Sequence, residues 1–306
     1  MTEGNERQDD FAVTVIEIDY TPNTLDPGRV FRSMAALIEA FQSIDRNLAG
    51  AVSATVEPEV YLERVEAGSI RAVLRTLLRE VDDDALKNLD WKPLVGQYLV
   101  KGKQQLLTWL DGKSKVESRT EVLGLREGLL EIAPDNVEGL RLSARPIPIE
   151  RLLDDLRKLS DGVAPLLPSD SAEFEFDGIS TTIETRFRIS QDEIELLLTQ
   201  QTVESTAEMV LLVKKPDYLG RSRWEFKLGD QTVEAKMRDE AWLDGFRTGH
   251  TILKPGYSLR AIVKSEMAIG FEAAVVATRY EVLRVLGVIA TDSPAQHHLP
   301  PGDEAG

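Results

Sequence analysis

The sequence Phe11-Ala-Val-Thr-Val-Ile-Glu-Ile18 is dense in β-branched residues, and this composition predicts a β-strand. A turn-rich loop follows, and over residues 29–48 apolar side chains recur at steps of three and four, which predicts an amphipathic helix. Residues 59–66 and 69–79 predict two strands of a hairpin that turns at Gly68. The chain therefore begins β-α-β-β, which predicts an N-terminal sheet with packed helices in a protein of the α+β class.

The pattern changes near the middle of the chain. Three further helices are predicted before that point, at residues 91–110, 118–132 and 148–159. Alternating strands dominate after it, with one short helix inserted near residues 240–246, so this part predicts a mostly antiparallel, barrel-like domain. We expect four parts: an α+β domain (1–160), a linker rich in Pro and Ser (161–171), a β-rich domain (172–290) and a disordered tail (291–306).

Composition excludes several classes of function. The 306 residues carry 36 Lys and Arg against 52 Asp and Glu, and when the chain is split at residue 160 both halves are acidic. A general nucleic-acid binder is therefore disfavoured, because such proteins need a basic surface. The chain has no cysteine and three histidines, which excludes thiol catalysis, disulfides and cysteine-ligated metals. With no signal pattern and no apolar run of about 18 residues, the sequence predicts a soluble cytoplasmic protein without a transmembrane segment.

One group of charged residues suits metal-dependent chemistry. Pro216-Asp217 is followed by Glu234-Ala235-Lys236 on a predicted strand, and this arrangement resembles the active-site pattern of the PD-(D/E)xK nuclease superfamily. The resemblance implies that Asp217 and Glu234 hold Mg²⁺ or Mn²⁺ over a scissile phosphate. It also implies that Lys236 helps to activate the attacking water.

A structural explanation exists for the same residues. Apolar side chains alternate along the strands predicted at residues 223–228 and 232–238, which leaves Glu234 and Lys236 on the solvent face. In the nuclease interpretation, the helix predicted at residues 191–199 contributes Glu193 or Glu195. Both explanations stay open at this point.

The predicted helix 91–110 carries the most continuous apolar stripe of the first half. A stripe of this kind suits a partner protein, a membrane surface or packing against the sheet. As an interaction surface it comprises Trp91, Leu94, Tyr98, Leu99, Leu106 and Trp109.

Nucleotide-binding and nucleophile motifs do not occur in the sequence. We therefore expect a non-catalytic interaction or sensor protein that needs no cofactor and works in a complex with itself or another protein. The edge of the C-terminal sheet is the second expected contact surface, since an edge strand can pair with another strand. Two alternatives remain: a metal-dependent nuclease using Asp217, Glu234 and Lys236, and a membrane-associating protein acting through the 91–110 helix.

Overall fold

The computed structural model describes residues 11–22, 24–66, 70–80, 91–134, 144–218 and 223–290. The elements are β1 (Phe11–Asp19), α1 (Arg29–Val52), β2 (Val56–Glu66), β3 (Ile70–Glu80), α2 (Lys92–Leu110), α3 (Arg119–Glu131), α4 (Ile149–Val163), β4 (Ser171–Phe176), β5 (Ile179–Ile183), α5 (Gln191–Leu198), β6 (Thr199–Lys215), β7 (Trp224–Leu228), β8 (Gln231–Met237), α6 (Glu240–Arg247), β9 (Ser258–Gly270) and β10 (Val275–Ile289). The chain divides into two compact units, Met1–Leu197 and Leu198–Gly306. The predicted α+β class is confirmed.

A five-stranded antiparallel sheet forms the centre of the N-terminal unit. Its strand order is β2-β3-β1-β4-β5, so the first strand of the chain lies in the middle. Ile16 of β1 stands opposite Ala72 of β3 on one side and opposite Phe174 of β4 on the other. All three side chains are buried, and α1 and α2 pack against β1. The strand that the β-branched composition predicts therefore has one face in the core.

Helix α1 packs on the sheet through the apolar stripe that the sequence periodicity predicts. The ring of Phe41 lies 5.3 Å from the ring of Phe174 and 6.1 Å from that of Phe176, measured between centroids. Helix α4 packs against the same helix. The two approach so closely that a Cβ atom at Gly162 would stand 2.6 Å from Cδ2 of Leu37. Glycine therefore suits this crossing, because a larger residue would have to displace the side chain of Leu37.

The predicted linker at residues 161–171 is part of the N-terminal unit, and the division of the chain lies between Leu197 and Leu198 instead. Helix α4 continues to Val163, and β4 begins at Ser171 and pairs with β1. The segment between them is a tight connection within one unit. The composition suggested a linker because both kinds of segment use Pro, Gly and Ser.

A buried ion pair holds this connection in place. Asp170 accepts hydrogen bonds from Nε and Nη2 of Arg29 at 3.1 and 3.2 Å, and both side chains are buried. The same carboxylate accepts from the backbone N–H groups of Thr21 and Leu167, each at 2.9 Å. These bonds fasten the loop after β1 to the turn before β4.

The C-terminal unit is a closed barrel with the strand order β10-β8-β7-β6-β9. All its neighbouring strands are antiparallel except β8 and β10, which run parallel at Tyr280–Val282. Gly229 has a φ of 59° and lies in the two-residue turn between β7 and β8. Helix α6, between β8 and β9, adds Leu243 and Phe246 to the barrel core. The expected barrel-like domain with one short inserted helix is confirmed.

Strand β6 differs most from its prediction. The alternation predicts a strand over residues 207–214, whereas β6 begins at Thr199. Residues 199–206 are polar except for Val203, and all are exposed or half-exposed, so no burial pattern marks them as a strand.

Among the helices of the described residues, none combines the length and the apolar character that crossing a membrane requires. Two predictions, the tail at residues 291–306 and the turn at Gly68, lie outside the described residues, although β2 and β3 pair antiparallel as expected.

Candidate functional site

The apolar stripe of α2 belongs to the core of the N-terminal unit. Trp91, Tyr98, Leu99 and Leu106 are at most 2% exposed. Burial raises the pKa of Tyr98 to about 12, so its phenol stays protonated. Of the expected interaction surface, only Leu94 is exposed, and Trp109 is half-buried with Nζ of Lys113 4.8 Å from its ring centroid.

The predicted interaction surface on this helix is therefore wrong, and the membrane-associating alternative fails with it. Helix α2 packs against β1, α1 and α3. An amphipathic pattern shows that one face leaves water, and in this case the sheet and the neighbouring helices cover that face.

The structure brings together two of the three residues that resemble a nuclease site. Asp217, in the loop after β6, and Glu234, on β8, both line a surface hollow of about 180 Å³. Lys236 is not among its lining residues and stands opposite Glu281 of β10. The other lining residues are Lys215, Pro216, Arg223 and Glu225.

The carboxylates near this hollow are not grouped as a three-ligand metal site. Within the described ranges, no three His, Asp or Glu side chains are arranged to hold a metal ion. Glu225 lies 2.6 Å from Nζ of Lys214, and the hydrogen bond from that lysine lowers the pKa of Glu225. The geometry thus fits the solvent-face explanation better than the catalytic one.

The helical carboxylates have another use. Glu193 of α5 accepts hydrogen bonds from the backbone N–H and the hydroxyl of Ser190, both at 2.7 Å, and these bonds lower the pKa of Glu193. The backbone N–H of Glu193 donates to the same hydroxyl at 3.2 Å, which completes a capping box. Glu195 also lies on α5, within the N-terminal unit, whereas the hollow lies in the barrel.

A buried polar centre lies beneath α1 and α2. Nζ of Lys103 is 2.8 Å from Oδ1 of Asp45 and 2.9 Å from Oγ1 of Thr14. The hydroxyl of Thr76 donates to Oδ2 of Asp45 at 2.7 Å. All four side chains are buried, so this centre joins two helices to two strands and offers no access to a ligand.

A second polar cluster joins α1 to α4. Asp155, which is buried, accepts hydrogen bonds from Ser43 at 2.6 Å and from Asn47 at 2.7 Å. Burial raises the pKa of Asp155 to about 6, although these two hydrogen bonds and the nearby Lys158 lower it. Lys158 donates to the Ser43 hydroxyl at 2.7 Å and pairs with Asp154. The Ser43 hydroxyl thus donates one hydrogen bond and accepts another, and the cluster ties α1 to α4.

The closed barrel removes most of the sheet edge that the sequence led us to expect. Strands β6 and β7 pair only from Leu212 to Lys215, however, and β8 pairs with β10 only at Tyr280–Val282. Beyond these points β6, β9 and β10 continue as a three-stranded sheet, which we call the arm (residues 199–206, 264–270 and 275–279). The outer edge of β6 thus faces no neighbouring strand in the described part of the chain from residue 199 to residue 211.

This edge carries few of the devices that protect edge strands. Every residue from 200 to 208 is exposed, and the sequence from 199 to 210 contains no Pro, Gly or Lys. The only register shift against β9 lies at the start of the strand, between Thr199 and Gln201. Its two glutamates are paired within the sheet: Glu204 with Lys264 at 2.7 Å, and Glu208 with Arg260 at 3.6 Å.

The order of elements in the barrel is that of an OB-fold. Three strands are followed by a helix and two more strands, with the third strand parallel to the fifth and the first paired with the fourth. OB-folds often bind oligonucleotides or oligosaccharides on the second and third strands, but fold alone does not assign a ligand. No protein-family model, curated protein or solved structure matches this chain.

The face used by nucleic-acid-binding OB-folds has an unsuitable surface in this protein. Single-stranded nucleic acids stack on aromatic side chains, whereas the outward positions on β7 and β8 are Glu225, Lys227, Thr232, Glu234 and Lys236. Residues 198–290 hold 13 Lys and Arg against 12 Asp and Glu, so the acidic excess of the chain lies outside the barrel. The case against nucleic acid at this face therefore rests on its missing aromatic platform rather than on charge.

Proposed function

We propose that the protein is a non-catalytic interaction protein that works within a complex, and that the arm of its barrel is the binding element. The observation that carries this proposal is the outer edge of β6. Among the described residues, no strand pairs with this edge from residue 200 to residue 211, so an exposed strand there offers backbone N–H and C=O groups to an incoming strand. Such an edge binds an extended segment of a protein by adding it to the sheet as a further strand.

The chemistry of the edge favours a protein partner. Main-chain hydrogen bonds supply affinity in strand addition, and side chains on alternate positions supply specificity. Val203 is 38% exposed and Val210 is 51% exposed, so the edge also offers apolar contacts to an incoming strand. The charges of Glu204 and Glu208 are already matched by the neighbouring strand, so they repel a partner less than free glutamates would.

A matched pair of lysine substitutions tests the proposal. Val203→Lys places a charge on the free edge of β6, whereas Val275→Lys makes the same change on β10, at an exposed position of the same arm. The full-length chain and both variants are expressed in the native host, and their complexes are isolated. Hydrogen exchange of the backbone amides is then compared between each complex and the isolated chain.

We expect the wild-type chain and Val275→Lys to retain the same complex, and residues 200–208 to gain protection in it. Val203→Lys should release the complex, because edge lysines oppose strand addition. Retention of the complex by Val203→Lys, with no protection at residues 200–208, would refute the proposal. Circular dichroism of each variant verifies that the barrel stays folded.

A further inference from the structure

We infer that the strand added to β6 is β6 of a second copy of this chain, related by a two-fold axis beside Ser205. This inference rests on the proposed function and names its partner. The two arms then form one six-stranded sheet, in the order β10-β9-β6-β6-β9-β10, and the edge disappears from both copies. A contact of this kind is isologous, because both copies use the same surface. Two-fold dimers with such contacts are the commonest homo-oligomers.

Geometry limits the ways in which two copies of β6 can pair. Directly opposed residues in an antiparallel pair point to the same face of the sheet. A two-fold axis normal to the sheet keeps each residue on its own face. Because faces alternate along a strand, opposed residues must be an even number of positions apart in the sequence, so the residue at the axis stands opposite its own copy. Every permitted arrangement is therefore named by one central residue.

Charge distinguishes among the central residues that use most of the free edge. With Glu204 at the centre, the two copies of Glu204 stand opposite each other, and with Thr206 at the centre, Glu204 stands opposite Glu208. Like charges in directly opposed positions destabilise a sheet. With Ser205 at the centre, Glu204 stands opposite Thr206 and Glu208 stands opposite Thr202, so no two glutamates are opposed.

The Ser205 arrangement also places the apolar side chain of Val203 opposite a small one. Val203 stands opposite Ala207 on the same face, and because of the two-fold axis this pair occurs twice. The face that carries Val203 also carries Met267 of β9, its register partner. Pairing therefore covers part of the exposed surface of Val203 with side chains that need no hydrogen bonds.

Single cysteines test the arrangement, since the natural chain contains none that could interfere. In the Ser205 arrangement, Ser205→Cys brings two thiols into directly opposed positions with Cα atoms about 4.5–5.5 Å apart, within the range of a disulfide. Thr206→Cys is the matched control, because its two copies are offset by two residues and their Cα atoms are about 8 Å apart. Mild oxidation should link Ser205→Cys into dimers and leave Thr206→Cys unlinked.

A charge change at one residue tests the same arrangement in solution. Thr206→Glu places a glutamate opposite Glu204 at two symmetric points, and Thr206→Lys places a lysine there. We expect the dissociation constant of the dimer, measured by light scattering over a dilution series, to rise about 2- to 30-fold for Thr206→Glu and to fall by a similar factor for Thr206→Lys.

The outcomes separate this inference from the proposed function. A chain that stays monomeric at 34.1 kDa, with no linkage of Ser205→Cys, overturns the self-pairing. If Val203→Lys still releases a complex in that case, β6 binds a strand of another protein and the proposed function stands. Linkage of Thr206→Cys in preference to Ser205→Cys contradicts the register. If no β6 variant changes either the dimer or the isolated complex, both proposals are overturned.

Discussion

Replacing Lys103 with methionine tests whether Lys103 and Asp45 form a stabilising ion pair in the buried polar centre. The ammonium of Lys103 lies 2.8 Å from Asp45, and neither side chain is more than 1% exposed. Methionine fills a similar volume but has no charge, so Lys103→Met leaves the carboxylate of Asp45 buried with the Thr76 hydroxyl as its remaining donor. Removing one partner of a buried pair generally costs about 3–5 kcal/mol.

We therefore expect the free energy of unfolding of Lys103→Met to be about 3–5 kcal/mol lower than that of the wild type, because the buried carboxylate of Asp45 keeps its place but loses its ion-pair partner.

Urea unfolding at pH 7 measures this free energy. Because the chain has two compact units, pulsed hydrogen exchange of α1 and β1 peptides assigns the transition to the N-terminal unit. Lys113→Met is the matched control: Lys113 pairs with Glu121 at 3.0 Å but is partly exposed, so it should lose at most about 1 kcal/mol. A Lys103→Met loss below about 1 kcal/mol, or one no larger than that of Lys113→Met, would refute the buried pair.

Two further substitutions test the packing of α1 against α4. Asp155→Asn removes a buried carboxyl whose raised pKa, about 6, makes the folded state lose stability as pH rises from about 4 to 6. Relative to the wild type, Asp155→Asn should gain about 2 kcal/mol between pH 4.5 and pH 7 in urea unfolding, and a pH-independent difference would contradict the assignment. Gly162→Ala forces a methyl group against Leu37 and should destabilise the protein by about 1–3 kcal/mol. Gly124→Ala, on α3 with no atom within 4 Å of the added methyl, should stabilise it by about 0.5–1 kcal/mol; equal effects on the thermal midpoint would show that Gly162 is not constrained.

Segments with one buried face were predictable from the sequence. The stripe of α1 and the alternation along β7 located these elements to within a few residues, because burial imposes a period on the apolar side chains. The same signal gave a wrong prediction at α2, where the stripe indicated an interaction surface. A helix that packs on a sheet and a helix that docks on a partner both need an apolar stripe, so the stripe of Leu99 and Leu106 could not reveal what covers it.

The candidate binding edge was not predictable in this way. Residues 199–206 of β6 are exposed or half-exposed, so no apolar alternation distinguishes this strand from a polar loop. A weaker signal was available in the run of Thr, Gln and Val without Pro or Gly, which favours an extended chain. The pairing of Lys103 with Asp45 was also hidden, because two helices far apart in sequence supply its members.

The central place of β1 has a consequence for synthesis of the protein. Of the five strands in this sheet β1 is translated first, yet one of its two neighbours is β4, which follows four helices and two other strands in the described part of the chain. Until then Ile16 and Ile18 have a partner strand on one side only, and long-range pairing of this kind is slow. The N-terminal unit therefore completes its sheet late, and its nascent chain needs protection from aggregation through most of its translation.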